Sequence, residues 1–509
     1  MRQIQISQLY QDYKMKKIAL LLLPAFLIAS QTDINLKLQE LQQEVQKLQK
    51  EVQYHQEDLD ERIPIIEENE KKTILDKINF SPEVLLRFDK FDYKNGIIKG
   101  ENTKIYNHSN ESLNGLQRRD EYSKDFDIAT SIRFRLNMEA EFDDIKFHGR
   151  LLYMNSSQAN QRVCILSRDI KPGTVGSAFD VDRAYIDYTP NKNSPYAFTF
   201  SFGLLPTTGG TPMQYGQDRK RSSLFPALVF DMDTYGMIGT QKVGDSTFVR
   251  LILAKAYTLR PSFYPYQCNR ENIDNTNIVG LYSDTKFNFM GNSLLSYGVN
   301  MLNDLKAHPY LGPDVSSSDS HTLGTMLTFG LGIDIEKFAG TNSIVFLHTA
   351  MSNPHGNGGE DDYQIFVDPT GTQEEQLQQQ EDGLTKNGKV GFTEADYATG
   401  TMLQENGYAV YVGTKYDITP TVHIGAEYNY GSKYWYSATQ GAEDMFNKLA
   451  TRGNVYEVYT IWDFHKYLNT KISYLNINEE YTGSGWHFGE PATKDASQQI
   501  ISLSLEAKF

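Results

Sequence analysis

The feature that most constrains the fold is a strict alternation of apolar and polar side chains. Across residues 131–140 every second residue is apolar, and every intervening residue is polar or charged. Successive side chains of a β-strand point to opposite faces, so this run predicts a strand with one apolar and one wet face. A soluble β-sandwich strand alternates too, but a run this long with arginines on one side is better suited to a water-filled barrel lumen.

The same alternation recurs along the chain and predicts about sixteen strands; because strand limits from one sequence are uncertain, about fourteen to eighteen remain open. The expected strand centres are Phe88, Phe134, Phe147, Ile186, Phe200, Ile238, Leu251, Leu281, Tyr297, Phe329, Phe346, Val412, Ala426, Tyr459, Ser473 and Leu505.

The links between these strands alternate in length. Links after even-numbered strands are short, as at Asp143-Asp144 and Thr419-Pro420. Links after odd-numbered strands are long and rich in Gly, Ser, Asn and Asp, as in residues 204–234, 352–405 and 431–453. Short turns at one end and long loops at the other are typical of outer-membrane barrels. A sandwich or a propeller gives no reason for such a segregation.

The carboxy-terminal residues support the same fold. Ile501, Leu503, Leu505, Ala507 and the terminal Phe509 share one face of an alternating run. A closing strand with an aromatic last residue resembles the assembly signal of bacterial outer-membrane proteins. The predicted fold is therefore all-β: a transmembrane antiparallel β-barrel of about sixteen strands, in contact with outer-membrane lipid. Tyr153, Tyr188, Tyr428, Tyr459 and Trp462 are expected in the aromatic girdles at the lipid boundary.

The residues before the barrel predict three segments. A basic start, the apolar run 18–29 and the small residues Ala29-Ser30 indicate a signal peptide over residues 1–30, with Met15 as its expected start. Residues 31–63 carry a heptad pattern that predicts a short α-helical coiled coil in the periplasm, although a lone amphipathic helix is the alternative. One seam contains Leu38, Val45, Val52 and Leu59, and the other contains Ile34, Leu41 and Leu48. The charged residues 64–76 form a linker, and residues 77–509 form the barrel.

Charge and cysteine content narrow the range of partners. The formal net charge of −15 argues against nucleic-acid binding, which requires a basic face. Cys164 and Cys268 are too few for a disulfide framework, and whether they pair with each other stays open. A coiled coil of this kind needs partner helices, so a homo-oligomer is expected, with a trimer favoured if the rest is a porin.

Two neighbouring segments resemble a known family. They are Asp182-Arg183-Ala184-Tyr185-Ile186-Asp187-Tyr188 and Gly203-Leu204-Leu205-Pro206-Thr207-Thr208-Gly209-Gly210-Thr211-Pro212. Together they resemble a family of porin-type outer-membrane barrels from Campylobacter-related bacteria, which carry an amino-terminal coiled coil. The chain departs from that family's pattern at Leu204 and Gly209, where the family has Arg and Asp. The resemblance implies a channel and names no solute.

The pore can be anticipated from strand register. The expected lumen-facing basic residues are Arg87, Arg133, Arg135, Lys146, His148, Arg150 and Arg183. The loop 204–234 is expected to fold inward and narrow the pore, with Pro206, Gly209, Gly210, Arg219, Lys220 and Arg221 as its constriction residues. A fixed positive charge in a narrow pore concentrates anions. The alternative is that carboxylates such as Glu139 and Glu427 balance these cations.

The resulting functional prediction is a porin-like channel for passive diffusion of small hydrophilic solutes or ions, with a preference for anions. The alternative is a binding or adhesion barrel with a closed lumen and partner-binding external loops. The sequence contains no nucleophile elbow, no phosphate-cradling loop and no paired-Cys or paired-His metal motif. Neither an enzyme activity nor a cofactor is therefore predicted.

Overall fold

The structure is a computed structural model that divides the chain into two compact units, residues 1–77 and 78–509. It describes residues 37, 39–53, 77–95, 122–125, 128–156, 176–256, 276–307, 321–357, 402–439, 446–481, 484, 491 and 493–509. The expected signal peptide, the linker 64–76, Cys164 and Cys268 lie outside the described residues.

In the first unit, residues 39–53 form a helix, α1. Its register keeps Leu41, Val45, Leu48 and Val52 on the heptad seam, as the sequence predicts for a helix, whereas the coiled coil itself stays a prediction. Among the described residues, no helix is long and apolar enough to cross a membrane.

The second unit is one antiparallel sheet. Its strands are β1 (Ile78–Asn95), β2 (Tyr122–Asp125), β3 (Ala129–Phe142), β4 (Ile145–Ser156), β5 (Gly176–Tyr188), β6 (Phe198–Leu205), β7 (Thr234–Val243), β8 (Thr247–Ala256), β9 (Asn277–Asn288), β10 (Asn292–Ala307), β11 (His321–Glu336), β12 (Ser343–Gly356), β13 (Gly407–Thr419), β14 (Val422–Gly431), β15 (Gly453–His465), β16 (Leu468–Tyr481) and β17 (Thr493–Lys508). The helical turns are α2 (Met213–Gly216) and two 3₁₀ turns, Phe338–Gly340 and Lys448–Ala450.

The sheet closes into a barrel because β1 pairs with both β17 and β3. The four-residue strand β2 pairs with the far end of β1, in line with β3, so β2 and β3 together occupy one position in the barrel. The barrel therefore has sixteen positions, and each predicted strand centre lies within a strand. Closure leaves no free sheet edge, which is the condition for a β-structure to span lipid.

The alternation separates an outer apolar surface from the lumen. In β17, Ile501 and Leu503 are exposed outward, while Ser502 between them is buried inside. Tyr188 and Trp462 lie on the outer surface as predicted for the girdles, with 44% and 52% of their surface exposed. The girdle prediction was wrong for Tyr459, which points into the lumen and is 4% exposed, because it lies on the inward face of β15 with Glu457.

Candidate pore and its inner loops

The loop between β6 and β7, residues 206–233, lies inside the barrel; we call it the first inner loop. Two glycines permit its sharp entry. Gly209 has φ of 79°, a left-handed conformation that glycine adopts without strain. Its N–H donates to the Asp231 carboxylate over 2.7 Å, which joins the entering and leaving arms of the loop. A Cβ at Gly210 would lie 1.7 Å from the Phe225 carbonyl oxygen, so no larger residue fits there.

The tip of the first inner loop reaches strands on the far side of the lumen. Thr211 donates to the Asp334 carboxylate on β11, and Lys415 on β13 donates to Asp218. Arg219 forms an ion pair with Glu506 on β17 and lies 3.7 Å from Glu83 on β1. Lys415, Glu83 and Glu506 lie close to the short-turn end of their strands, so the loop descends most of the depth of the barrel.

A second loop, residues 432–452 between β14 and β15, also folds inward; we call it the second inner loop. Trp435 is fully buried, and its indole N–H donates to the Leu449 carbonyl oxygen over 2.8 Å. The Asp231 N–H donates to the Ala438 carbonyl oxygen over 2.9 Å, so the two inner loops are joined by backbone pairing. The sequence prediction treated residues 431–453 as a long loop and did not place them in the lumen.

The inner loops fill one side of the lumen with a hydrophobic core. This packed side is bounded by β6 to β13, whose inward residues include Ile252, Tyr282 and Phe346. Phe225 of the first inner loop packs edge-on against Tyr282, with ring centroids 4.6 Å apart. Val229 approaches β11 so closely that a Cβ at Gly330 would lie 2.1 Å from its methyl group. This side of the lumen therefore resembles the interior of a soluble protein.

The other side of the lumen contains a solvent-open cavity of about 110 Å³, bounded by β15 to β17, β1 and β3; we call this side of the lumen the open side. Its lining includes five cationic side chains, Arg87, Arg133, Arg219, Lys448 and Lys471, and two carboxylates, Glu457 and Glu506. Serines and amides supply much of the remaining lining: Gln217, Asn469, Ser473, Ser502 and Ser504. The cavity is therefore polar and carries more positive than negative side chains.

Several of these charges are held by neighbouring carboxylates. Lys448 bonds to both Glu427 and Glu457, and Lys471 lies 2.9 Å from Glu457. Lys471 also donates to the Gly216 carbonyl oxygen of the first inner loop over 2.7 Å, which links the loop to the cavity wall. Such a network fixes the positions of the charged groups in the cavity wall.

Arg87 and Arg133 line the cavity among the seven basic residues predicted to line the pore. Arg87 lies 2.7 Å from Asp89, and its guanidinium carbon stands 4.8 Å from the Phe446 ring centroid. Arg135 points inward but is 3% exposed, so it lies behind the cavity surface.

The other predicted pore residues are engaged elsewhere on the lumen wall. Arg150 makes a bidentate ion pair with Asp182, with N–O distances of 2.7 and 2.8 Å. Arg183 donates to the carbonyl oxygens of Thr208 and Ser222 and so holds the first inner loop.

Lys146 and His148 lie near the short-turn end of β4. The Lys146 ammonium is 2.7 Å from Glu139, and the His148 ring lies between Glu139 and Asp187 at 3.4 and 3.2 Å. His148 also stacks on Tyr185, with ring centroids 4.5 Å apart. These carboxylates balance the predicted basic wall on β4, as the alternative interpretation anticipated for Glu139.

The residues predicted for the constriction differ in burial and in what they contact. Pro206, Gly209 and Gly210 form the entering arm, and the two glycines are buried. Arg219 lines the cavity, Lys220 is exposed, and Arg221 forms an ion pair with Asp284 on β9 at 3.0 Å.

Two titratable groups of the first inner loop have shifted pKa values. Burial alone would raise the pKa of Asp218, but its hydrogen bond and ion pair with Lys415 outweigh burial and lower the pKa. Burial and the nearby Asp334 and Glu336 carboxylates raise the pKa of the Tyr215 phenol far above its usual value. Asp218 is therefore held as an anion and Tyr215 as a neutral phenol.

The sequence analysis did not predict Lys448, Lys471 and Glu457 as pore-lining residues. It also did not predict that the second inner loop folds into the lumen. The sequence does contain a signal for the packed side: Leu251-Ile252-Leu253 in β8 is apolar on both faces and breaks the alternation. A strand that is apolar on both faces contacts apolar material on each side. The apolar run 225–230 likewise indicates that the loop containing it is buried.

The closed sheet, the apolar outer surface and the partly open interior define a membrane-spanning β-barrel of the outer-membrane type. The chain belongs to the family described as "Protein of unknown function (DUF3373)", whose model matches residues 123–505. No curated protein sequence matches the chain.

Solved structures similar to this chain include several outer-membrane proteins. OprB of Pseudomonas putida has a TM-score of 0.44 at 10% identity, with 86% of this chain and 96% of that chain covered. The outer-membrane channel DcaP of Acinetobacter baumannii has a TM-score of 0.40 at 13% identity, with coverage of 85% and 98%. OmpT of Vibrio cholerae has a TM-score of 0.40 at 10% identity, with coverage of 85% and 97%.

Proposed function

We propose that this protein is a porin-like channel in the bacterial outer membrane, through which small hydrophilic solutes or ions diffuse passively. The observation that carries the proposal is the solvent-open, polar cavity between the first inner loop and the wall formed by β15 to β17, β1 and β3. An inward-folded loop that leaves a charged passage along one wall restricts solutes by size and by charge. Short turns face the periplasm and long loops the outside in barrels of this type.

We propose further that the passage favours anions. Cationic side chains outnumber carboxylates in its lining by five to two. Two of these cations have additional partners behind the lining, since Arg87 pairs with Asp89 and Lys448 with Glu427. The preference is therefore expected to be moderate rather than absolute, because these carboxylates weaken the field in the passage.

One observation favours a second function, a binding barrel with a closed lumen. The packed side is as tightly filled as a protein core, with Trp435, Phe230 and Tyr282 at 1% exposure or less. In that case the open-side cavity is a pocket that ends within the barrel, and the long external loops contact the partner.

Conductance in a planar lipid bilayer separates these two functions. The full mature chain, folded in detergent and shown to be a barrel by its heat-modifiable migration on gels, is the sample. A channel gives stable, stepwise currents of uniform size. A folded barrel that inserts into the bilayer and gives no current would exclude the channel and leave the binding function.

We also propose that the chain is a homo-oligomer, most simply a trimer, joined through its periplasmic coiled coil. The α1 seam supports this, because Val45 and Leu48 are 50% and 38% exposed in the single chain and would be covered by partner helices. Cross-linking of the mature protein tests it: removal of residues 31–63 is expected to weaken the oligomer.

A further inference from the structure

Four side chains converge at the short-turn end of the lumen, beneath the tip of the first inner loop. His423 lies at the start of β14, Asp417 and Asp463 lie on the neighbouring strands β13 and β15, and Asp218 comes from the loop. The ligand atoms of Asp218, His423 and Asp463 all lie within 4.8 Å of one another.

The two ring nitrogens of His423 both face carboxylates. Nδ1 lies 2.6 Å from Asp417, and Nε2 lies 3.0 Å from Asp463. A neutral imidazole has one N–H and one lone pair, so one of these nitrogens would direct its lone pair at a carboxylate. That arrangement is repulsive unless a cation, either a proton or a metal ion, lies between the two groups.

The surrounding charge favours a cation at this place. Three carboxylates, those of Asp218, Asp417 and Asp463, lie near two ammonium groups, those of Lys415 and Lys508. The Lys508 ammonium lies 3.2 Å from the backbone carbonyl oxygen of Asp218 and 3.0 Å from Glu506, which also pairs with Arg219. With a neutral imidazole the carboxylates therefore outnumber the ammonium groups, and a bound cation offsets the excess.

The hydrogen bond from Nδ1 to Asp417 is also the arrangement that prepares a histidine for metal binding. A carboxylate that accepts the Nδ1 proton fixes the tautomer and leaves the Nε2 lone pair free for the ion. Nε2 is the nitrogen that faces Asp463, and the ligand atom of Asp218 lies within 4.8 Å of those of His423 and Asp463. The ring is 8% exposed, which holds its orientation, while Asp218 and Asp463 are 26% and 28% exposed, which leaves an approach from the aqueous lumen.

We propose that Asp218, His423 and Asp463 bind one divalent first-row transition-metal ion, with Asp417 positioning His423. One imidazole and two carboxylates suit Zn²⁺ or Mn²⁺, whereas Ca²⁺ prefers an all-oxygen shell. Ligand atoms about 2.0–2.2 Å from one tetrahedral ion stand about 3.3–3.6 Å apart, so a pair as far apart as 4.8 Å closes by roughly an ångström or more on binding. Lys415 bonds to one oxygen of Asp218 and leaves the other for the ion.

The site would have a structural consequence for the pore. Asp218 belongs to the first inner loop, whereas His423 and Asp463 belong to the barrel wall. A bound ion therefore pins the tip of the loop to β14 and β15. Metal binding does not require that the barrel conduct, so this inference stands or falls independently of the channel.

Binding of Zn²⁺, Mn²⁺ and Ca²⁺ to the chelator-treated, folded barrel tests the site. Isothermal titration is expected to give one Zn²⁺ per chain, with no saturable binding of Ca²⁺. Co²⁺ supplies a second readout, because an intense visible absorption band appears only when protein side chains replace water and lower its coordination number. His423→Ala and Asp463→Asn are each expected to abolish the band and to weaken Zn²⁺ binding by a factor of ten or more.

Two further variants sharpen the test. Asp417→Asn keeps the ligands and removes only the positioning carboxylate, so Zn²⁺ affinity is expected to fall by about 10–100-fold. His465→Ala removes an exposed histidine at the same end of the barrel and is expected to change nothing. Absence of saturable Zn²⁺ binding would overturn the proposal. Equal loss in His423→Ala and His465→Ala would overturn it as well.

Discussion

The two sides of the lumen differ in what their inward-facing residues contact. On the packed side the inward residues of β8 and β12, such as Ile252 and Phe346, meet apolar side chains of the two inner loops. On the open side the inward residues of β16 and β17, such as Lys471 and Ser504, are partly exposed and line the cavity. The same barrel wall thus bounds a hydrophobic core on one side of the lumen and a solvent-open cavity on the other.

This difference shows how a barrel of sixteen positions can leave only a narrow part of its lumen open to solvent. A closed sheet of this size encloses more space than its own side chains fill. Burial of the apolar run 225–230 and of Trp435 stabilises the inner loops against one wall. The loops then leave the opposite wall uncovered, and the ion pairs of Arg219 and Lys471 define where the filled part ends.

Removal of the first inner loop is expected to have the largest effect on the difference between the packed side and the open side. Thr207 donates to the Met232 carbonyl oxygen over 2.5 Å, so the ends of the loop meet, and a short Gly-Ser linker can replace residues 208–231. Loss of this loop opens the packed side to water, and single-channel conductance is expected to rise several-fold. An unchanged conductance in a barrel that still shows heat-modifiable migration would mean that the loop does not limit the passage.

The alternation predicted the strands well because it depends on local geometry alone. A strand pointing one face to lipid and one to water must alternate, and β3 does so over residues 131–142 and β17 over residues 501–508. The predicted inward direction of Arg133 and Arg150 follows from the same rule. The ion pair of Arg150 with Asp182 does not follow from alternation. A bulge in the β4–β5 pairing, between Arg150 and Leu151, brings Asp182 to the inward face.

Neither the packed side nor the cluster of carboxylates around His423 could be predicted from the sequence, and the reason is different. Which residues meet inside the lumen depends on how far a loop descends, and Asp218 contacts β13 only because Gly209, Gly210 and Arg183 set the path of the loop. The local sequence reveals only that a loop is apolar, as at Tyr434-Trp435-Tyr436. That signal identifies a buried loop without indicating the wall on which it packs.

A core substitution tests whether the packed side has the energetics of a protein interior. Trp435→Ala removes a fully buried side chain together with its hydrogen bond to Leu449. The free energy that holds the inner loops in place is expected to fall by about 3–5 kcal/mol. Trypsin should then cleave faster at the basic residues of the loops, such as Arg221 and Lys448. Trp462→Ala is the matched control, since that indole is 52% exposed on the outer surface, and its cleavage rate should equal that of the native protein.

The smallest effect expected is on charge selectivity, and it tests which side carries the current. Arg133 and Lys471 line the cavity on the open side, so replacing both with Ser removes two of its five cations. The reversal potential in a salt gradient is expected to shift by several millivolts toward cation selectivity, because fewer fixed positive charges concentrate fewer anions.

Lys242→Ser provides the control for the packed side. Lys242 lies on β7 near its short-turn end, pairs with Asp245 at 4.0 Å and is not part of the cavity lining. Its removal changes the net charge of the barrel without changing the charge of the passage, so the reversal potential should stay constant. A shift as large as that of the double variant would mean that ions respond to the overall charge of the lumen. That result would contradict the open side as the route of the current.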